Sequence, residues 1–159
     1  EILNMDLRIA ALALSLIGLC NIVGTFACGI LGGKFPKKWV LAWLYFLRSL
    51  CIVAMLVAPK TETNILIFAG AMGLLWLGTV PLTSGLVATM FGPRHMGTLY
   101  GFVFLSHQVG SFIGIYMGGR VYDIYGNYDL IWYAAIVLGV FSALAHLPVR
   151  DPAWAPETA

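Results

Sequence analysis

Charge is what this sequence has least of. Only 10% of its 159 residues are Asp, Glu, Lys or Arg, against about 25% in soluble domains, while 60% are apolar. An independent water-soluble enzyme domain is thereby excluded. The three cysteines, Cys20, Cys28 and Cys51, all lie in apolar runs with no C-x-x-C and no histidine at ligand spacing, which excludes a disulfide framework and a zinc site. No metal and no cofactor are expected. The formal charge of +2 is small and no basic stripe alternates with aromatics, so nucleic acid is not a partner. There is no H-E-x-x-H, no nucleophile beside a base and no carboxylate dyad, so the chain does not read as an enzyme. No charged n-region or A-x-A site precedes the apolar run that begins at Leu7, so no signal peptide is read there.

Long apolar runs are abundant. A membrane helix needs about 20 mostly apolar residues, and five stretches of that size are separated by charges: residues 7–31, 39–58, 65–91, 96–119 and 129–147. None shows the strict alternation of barrel strands, so the fold class is all-α, a polytopic membrane helix bundle whose partner is the lipid bilayer. Eighteen glycines without a collagen period suit close helix packing. The connections carry turn signals at residues 32–38, 59–64, 92–95 and 120–128. Short connections force neighbouring helices to alternate in direction. Lys34, Lys37, Lys38, Arg94 and Arg150 therefore fall on one side and Lys60 and Arg120 on the other, which predicts that the first side is cytoplasmic. Trp39, Trp132 and Tyr133 are expected at the interfaces. Residues 1–6 then form an external end continuing a missing upstream chain, 7–147 the transmembrane bundle, and 148–159, with Pro148, Pro152 and Pro156, a disordered cytoplasmic tail.

Polar residues at mid-depth are the candidates for chemistry, because an ionisable group in hydrocarbon needs a partner, a water cavity or a substrate path. Arg48 lies at the middle of the second span, and apart from Asp129 at the very start of the fifth no span contains an Asp or Glu to pair with it. Its counter-charge comes from a missing part of the protein, from an anionic substrate, or from carbonyls and water. In the fourth span His107 shares one face with Gly110, Gly114 and Gly118, a G-x-x-x-G-x-x-x-G seam that permits close approach of another helix. His107 is thus expected to face the bundle, as a substrate or proton site or as an interhelical hydrogen bonder, with Gln108 about 100° round from it. Asn21 is a further mid-depth polar group, either glue or ligand. In the third span Pro81 frees the Leu77 carbonyl, and Thr79, Thr83 and Ser84 are placed to satisfy the resulting kink locally. His146, at the end of the fifth span, is expected to be interfacial.

The stretch Gly29-Ile30-Leu31-Gly32-Gly33-Lys34-Phe35-Pro36-Lys37-Lys38 resembles the loop motif G-x-L-x-D-R-x-G-R-R of the major facilitator superfamily. Gly29, Leu31, Lys34, Lys37 and Lys38 fit; Gly33 stands where the motif has Asp, and Pro36 where it has Gly. The runs around Trp76-Leu77-Gly78-Thr79-Val80-Pro81, Ser106-His107-Gln108-Val109-Gly110 and Gly118-Gly119-Arg120 through Tyr128 look like the tenth and eleventh helices and following loop of a bacterial porter of the monocarboxylate and oxalate branch. The resemblance covers almost the whole chain. It implies helices eight to twelve of a twelve-helix transporter in a bacterial inner membrane, five helices of one six-helix half, with the N-terminal half of the same protein and a small-molecule substrate as partners. It further implies alternating access, with proton symport as the candidate form of coupling, and a cavity bordered by the eighth, tenth and eleventh helices. That favours Asn21, Trp76, Thr79, His107 and Gln108 over Arg48 as ligands, and gives Gly29, Gly33, Lys34, Lys37 and Lys38 a conformational role. The alternative is a non-transporting membrane subunit or sensor whose polar residues are packing contacts.

Overall fold

The computed structural model describes residues 6–151, so residues 1–5 of the expected external end and 152–159 of the expected tail lie outside it. The described residues form six helices: α1 (Leu7–Lys34), α2 (Lys37–Val57), α3 (Glu62–Trp76), α4 (Thr79–Phe91), α5 (Pro93–Tyr125) and α6 (Asp129–His146). With α3 and α4 taken as one interrupted segment, Glu62–Phe91, there are five that are long and apolar enough to cross a membrane, as the five-span reading expects. The connections are shorter than the turn signals suggested. Gly92 at φ 77° separates α4 from α5, with Pro93 beginning the next helix. Residues 120–125, expected in a loop, are helical instead, and α5 ends only at Gly126, whose φ of 68° suits a residue without Cβ.

Helix α1 packs along α3, and α2 along α6. The short α4 touches α1, α2 and α5. The tightest core lies where α1, α2 and α4 meet, with Cys28, Leu41, Leu44, Leu82 and Leu86 buried together. Outward faces stay apolar and uncovered, Phe112 and Ile115 among them, because their solvent is hydrocarbon and not water. Between α1 and α3 the backbones nearly touch. A Cβ on Gly73 would lie 2.7 Å from the Ile17 carbonyl oxygen, and one on Gly24 would run into the Leu74 backbone. Small residues permit such approach where no hydrophobic effect drives helices together.

The two ends of the bundle are sorted as the alternation requires. On one, the Lys37 N–H donates to Asp151 Oδ2 at 2.7 Å and Lys38 Nζ to the Leu147 carbonyl at 3.3 Å, joining the first connection to the end of α6. On the other, Lys60 and residues 126–129 line one cavity. Arg8, in the first turn of α1, adds a third cation to the side of Lys60 and Arg120, which narrows the charge bias without reversing it.

Residues 148–151 do not behave as the disordered tail expected from their prolines. Val149 packs against the core and Asp151 is buried. Asp151 supplies the start of α2 with the acceptor that Pro36 lacks, and a carboxylate there also meets the positive end of the helix dipole. Asp151→Ala should therefore cost about 1 kcal/mol, read as a lowered melting temperature of the full-length protein in detergent, while Asp151→Asn retains most of the cap. Identical melting of the Ala variant and the parent would mean that the contact contributes nothing.

Candidate functional site

The interruption between α3 and α4 lies in the middle of the bundle and one turn before Pro81. Pro81 falls in the first turn of α4, where its missing N–H is no loss. The kink expected at Pro81 is thus a break at Leu77-Gly78. Two neighbours fix it there. The Leu77 N–H donates to Asn21 Oδ1 of α1 at 3.2 Å, and Gly78 sits so close to Cys28 and Leu44 that any Cβ would collide with the Cys28 sulfur. The carbonyl that Pro81 frees, that of Leu77, accepts from the Val80 N–H at 3.0 Å.

Two further carbonyls at the break, those of Leu75 and Trp76, are taken by Arg48. Its Nε donates to the Leu75 oxygen at 2.9 Å, and its Nη2 donates to the Leu75 oxygen at 2.5 Å and to the Trp76 oxygen. The guanidinium lies 5.3 Å from the Tyr45 ring centroid and 5.5 Å from that of Trp76. Of the three sources of counter-charge open to Arg48, these contacts use the carbonyls. The choice is physically apt, since the C-terminal carbonyls of α3 carry the negative end of its dipole and the cation sits against them. Thr79 Oγ1 adds a weaker bond to the Trp76 oxygen at 3.4 Å, whereas Ser84 Oγ bonds the Pro81 carbonyl within its own helix. Local hydroxyls are therefore secondary at the break, and two distant side chains are primary.

Asn21, Arg48, Trp76 and Thr79, scattered over 59 residues of sequence, thus converge on one node. Trp76 and Leu77 remain exposed beside it. His107 and Gln108 do not join them. Both are exposed on α5, which packs on α4 and touches α6 without running along α1 or α3, and the His107 ring has that of Phe104 as its neighbour at 6.2 Å. Cβ atoms on Gly110, Gly114 and Gly118 would meet nothing within 4 Å, so the seam's partner is not among the described residues. His146 stacks on Tyr45 at 5.3 Å, its Nδ1 2.7 Å from the Ser142 carbonyl oxygen.

At the loop motif, Gly29, Gly33 and Lys34 are exposed, Gly29 and Gly33 lining a small cavity with Lys37. The Lys37 stem would lie 3.1 Å from a Cβ on Gly85 of α4, so the motif is wedged against the broken span. Sequence reasoning missed Tyr45, Gly24, Gly73 and Gly78. Only the glycines left a trace, as small residues on helices, and nothing told these from the exposed Gly18. Among the described residues no three His, Cys, Asp or Glu side chains are grouped to hold a metal.

The family model described as Major Facilitator Superfamily matches residues 1–158. The uncharacterized MFS-type transporter YcxA of Bacillus subtilis (strain 168) is 29% identical over 147 residues, covering 89% of this chain and 36% of that protein. Monocarboxylate transporter 3 of Rattus norvegicus is 31% identical over 144 residues, 85% of this chain and 29% of that protein. The uncharacterized MFS-type transporter YhjX of Escherichia coli (strain K12) is 25% identical over 108 residues, 68% of this chain and 27% of that protein. The chain thus spans about a third of the length of these relatives. No solved structure matches it.

Proposed function

The chain belongs to the major facilitator superfamily, and from that premise we propose that it is the C-terminal part of a secondary transporter that carries a small organic anion, a monocarboxylate, by alternating access. The five apolar helices make it an integral membrane protein, and its relatives support a membrane transporter over an enzyme. The observation that carries the finer reading is the broken span. Transporter sites are commonly built at the bilayer midplane from discontinuous helices, whose ends offer polar backbone in a place where continuous helices offer none. Here the break presents Trp76, Leu77 and Thr79 beside a cation whose Nε and Nη2 are bonded to carbonyls. The carboxylate is suggested by the name of the rat relative. The first connection and residues 147–151 face the cytoplasm in this reading. An impermeant maleimide on intact cells should then label a cysteine at position 62 and not one at position 37; the reverse pattern would invert the topology.

His107 is the proton carrier of this proposal. Histidine is the side chain whose ordinary charge change falls near neutral pH, which suits it to carry a proton. A protonated imidazole attracts an arriving anion, so proton uptake and anion binding favour each other, as symport requires. In this reading the open glycine seam beside it receives a helix of the N-terminal half, which would put both where two halves close. His107→Gln in the full-length protein keeps hydrogen bonding and should abolish the pH dependence of uptake. Unchanged pH dependence and rate would make His107 structural and move the protonation site elsewhere.

A further inference from the structure

Away from the break, at the end of the bundle that carries Lys60, α2 finishes at Val57, α5 at Tyr125, and α6 begins at Asp129. Residues of the three ends line a cavity of about 380 Å³. That is within the roughly 300–1,000 Å³ typical of small-ligand sites. None of Asn21, Arg48, Trp76, Thr79 or His107 lines it, so it is separate from the node described above.

The cavity's chemistry is graded with depth. Its floor is hydrocarbon, with Ile52 buried and Met55 and Leu56 beside it on the last turns of α2. The Trp132 ring, held edge-on against Phe68 at 6.1 Å, and the stacked pair Tyr122 and Tyr128 at 4.8 Å form an aromatic wall. Such amphipathic rings sit at the level of lipid headgroups. At the rim are two exposed side chains of opposite sign, Lys60 after α2 and Asp129 in the first turn of α6. An occupant must therefore present an anion and a cation at the water boundary and a hydrocarbon chain below them.

We propose that this cavity binds the headgroup of a zwitterionic aminophospholipid such as phosphatidylethanolamine. The phosphate is held by Lys60, the primary ammonium by Asp129 against the aromatic wall, and an acyl chain lies along Met55 and Leu56. Charge complementarity selects this lipid. Phosphatidylglycerol offers the phosphate but only neutral hydroxyls, and no cation, for the carboxylate, and a soluble solute leaves the apolar floor uncovered. The ammonium–carboxylate contact is one that phosphatidylethanolamine makes and phosphatidylglycerol cannot, and a tenfold difference in retention corresponds to about 1.4 kcal/mol. Phosphatidylethanolamine should accordingly be retained about tenfold better than phosphatidylglycerol.

The test uses the full-length protein, delipidated in detergent, incubated with equal amounts of dioleoyl phosphatidylethanolamine and dioleoyl phosphatidylglycerol and read by native mass spectrometry. The parent should retain the ethanolamine lipid about tenfold in excess. Asp129→Asn should bring the two lipids to near parity, and Lys60→Gln should lower both, with melting temperatures unchanged because both side chains are exposed. Equal retention by the parent overturns the proposal, and that comparison needs no variant to fold. So does undiminished ethanolamine preference in Asp129→Asn, which would mean that another part of the protein covers the cavity or that the lipid binds elsewhere. Transport plays no part in the readout, so the result stands whether or not the substrate proposal holds.

Discussion

Arg48→Leu is expected to lower the melting temperature of the full-length protein more than any other change at the break. The substitution removes one side of a pairing and leaves the other in place, since the Leu75 and Trp76 carbonyls still end α3 in the middle of the membrane. An unsatisfied buried polar group costs about 1–3 kcal/mol in proteins, and more where no water reaches. The Leu75 carbonyl would bear that cost in full, roughly 1–3 kcal/mol, and the Trp76 carbonyl less, since it keeps the weak bond from Thr79 Oγ1. Against this stands the relief of no longer burying a guanidinium, which decides the sign only when both partners are replaced by apolar groups. Here the backbone cannot be replaced, so the loss wins. Arg48→Lys keeps a charge but has no planar fork to span two carbonyls while lying between the Tyr45 and Trp76 rings, and should fall between Leu and the parent. Thermal unfolding in detergent, together with uptake, separates the possibilities. A Leu variant that melts like the parent yet fails to transport would make Arg48 a substrate ligand and not a clamp.

Gly73→Val should prevent α1 and α3 from packing. The new Cβ would stand 2.9 Å from both the Ile17 Cα and the Cys20 Cβ as well as 2.7 Å from the Ile17 oxygen, and backbone atoms cannot swing aside as a side-chain tip can. Overpacking of this kind costs about 1–3 kcal/mol where neighbours yield, and more where they do not. The yield of folded protein should drop sharply. At Gly114 the same substitution meets open space among the described residues, so any loss of folding there would reveal a packing partner beyond them. A Gly73→Val variant that folds and melts like the parent would show that α1 and α3 lie farther apart than their backbones do here.

Hydropathy made the spans legible, because a bilayer imposes a length on every helix that crosses it and charge marks where each stops. It could not tell one thirty-residue segment from two helices joined by a break, since Leu77 and Gly78 are as apolar as their surroundings. Pro81 pointed to the right span and the wrong residue: a proline reports where an N–H is missing, while the break is set where Asn21 takes the Leu77 N–H instead. Arg48 was conspicuous as the one charge at mid-depth, but its partners were backbone atoms, which carry no residue-type signal.

The sequence by itself determined that this is a bundle of membrane helices, how many spans it has and which connections share a side, because those follow from the local balance of apolar and charged residues and from the alternation of short links. Only the tertiary structure decided which polar groups meet, which glycines are under contact and what caps α2. Each of these depends on two segments far apart in the chain, such as Lys37 and Asp151 or Asn21 and Leu77, and on their approach to within hydrogen-bonding distance. No periodicity along one helix encodes that approach. It arises when backbones pack against one another, so that Gly24 and Gly73 carry contact while Gly110 and Gly114, on a seam of more regular spacing, stay open.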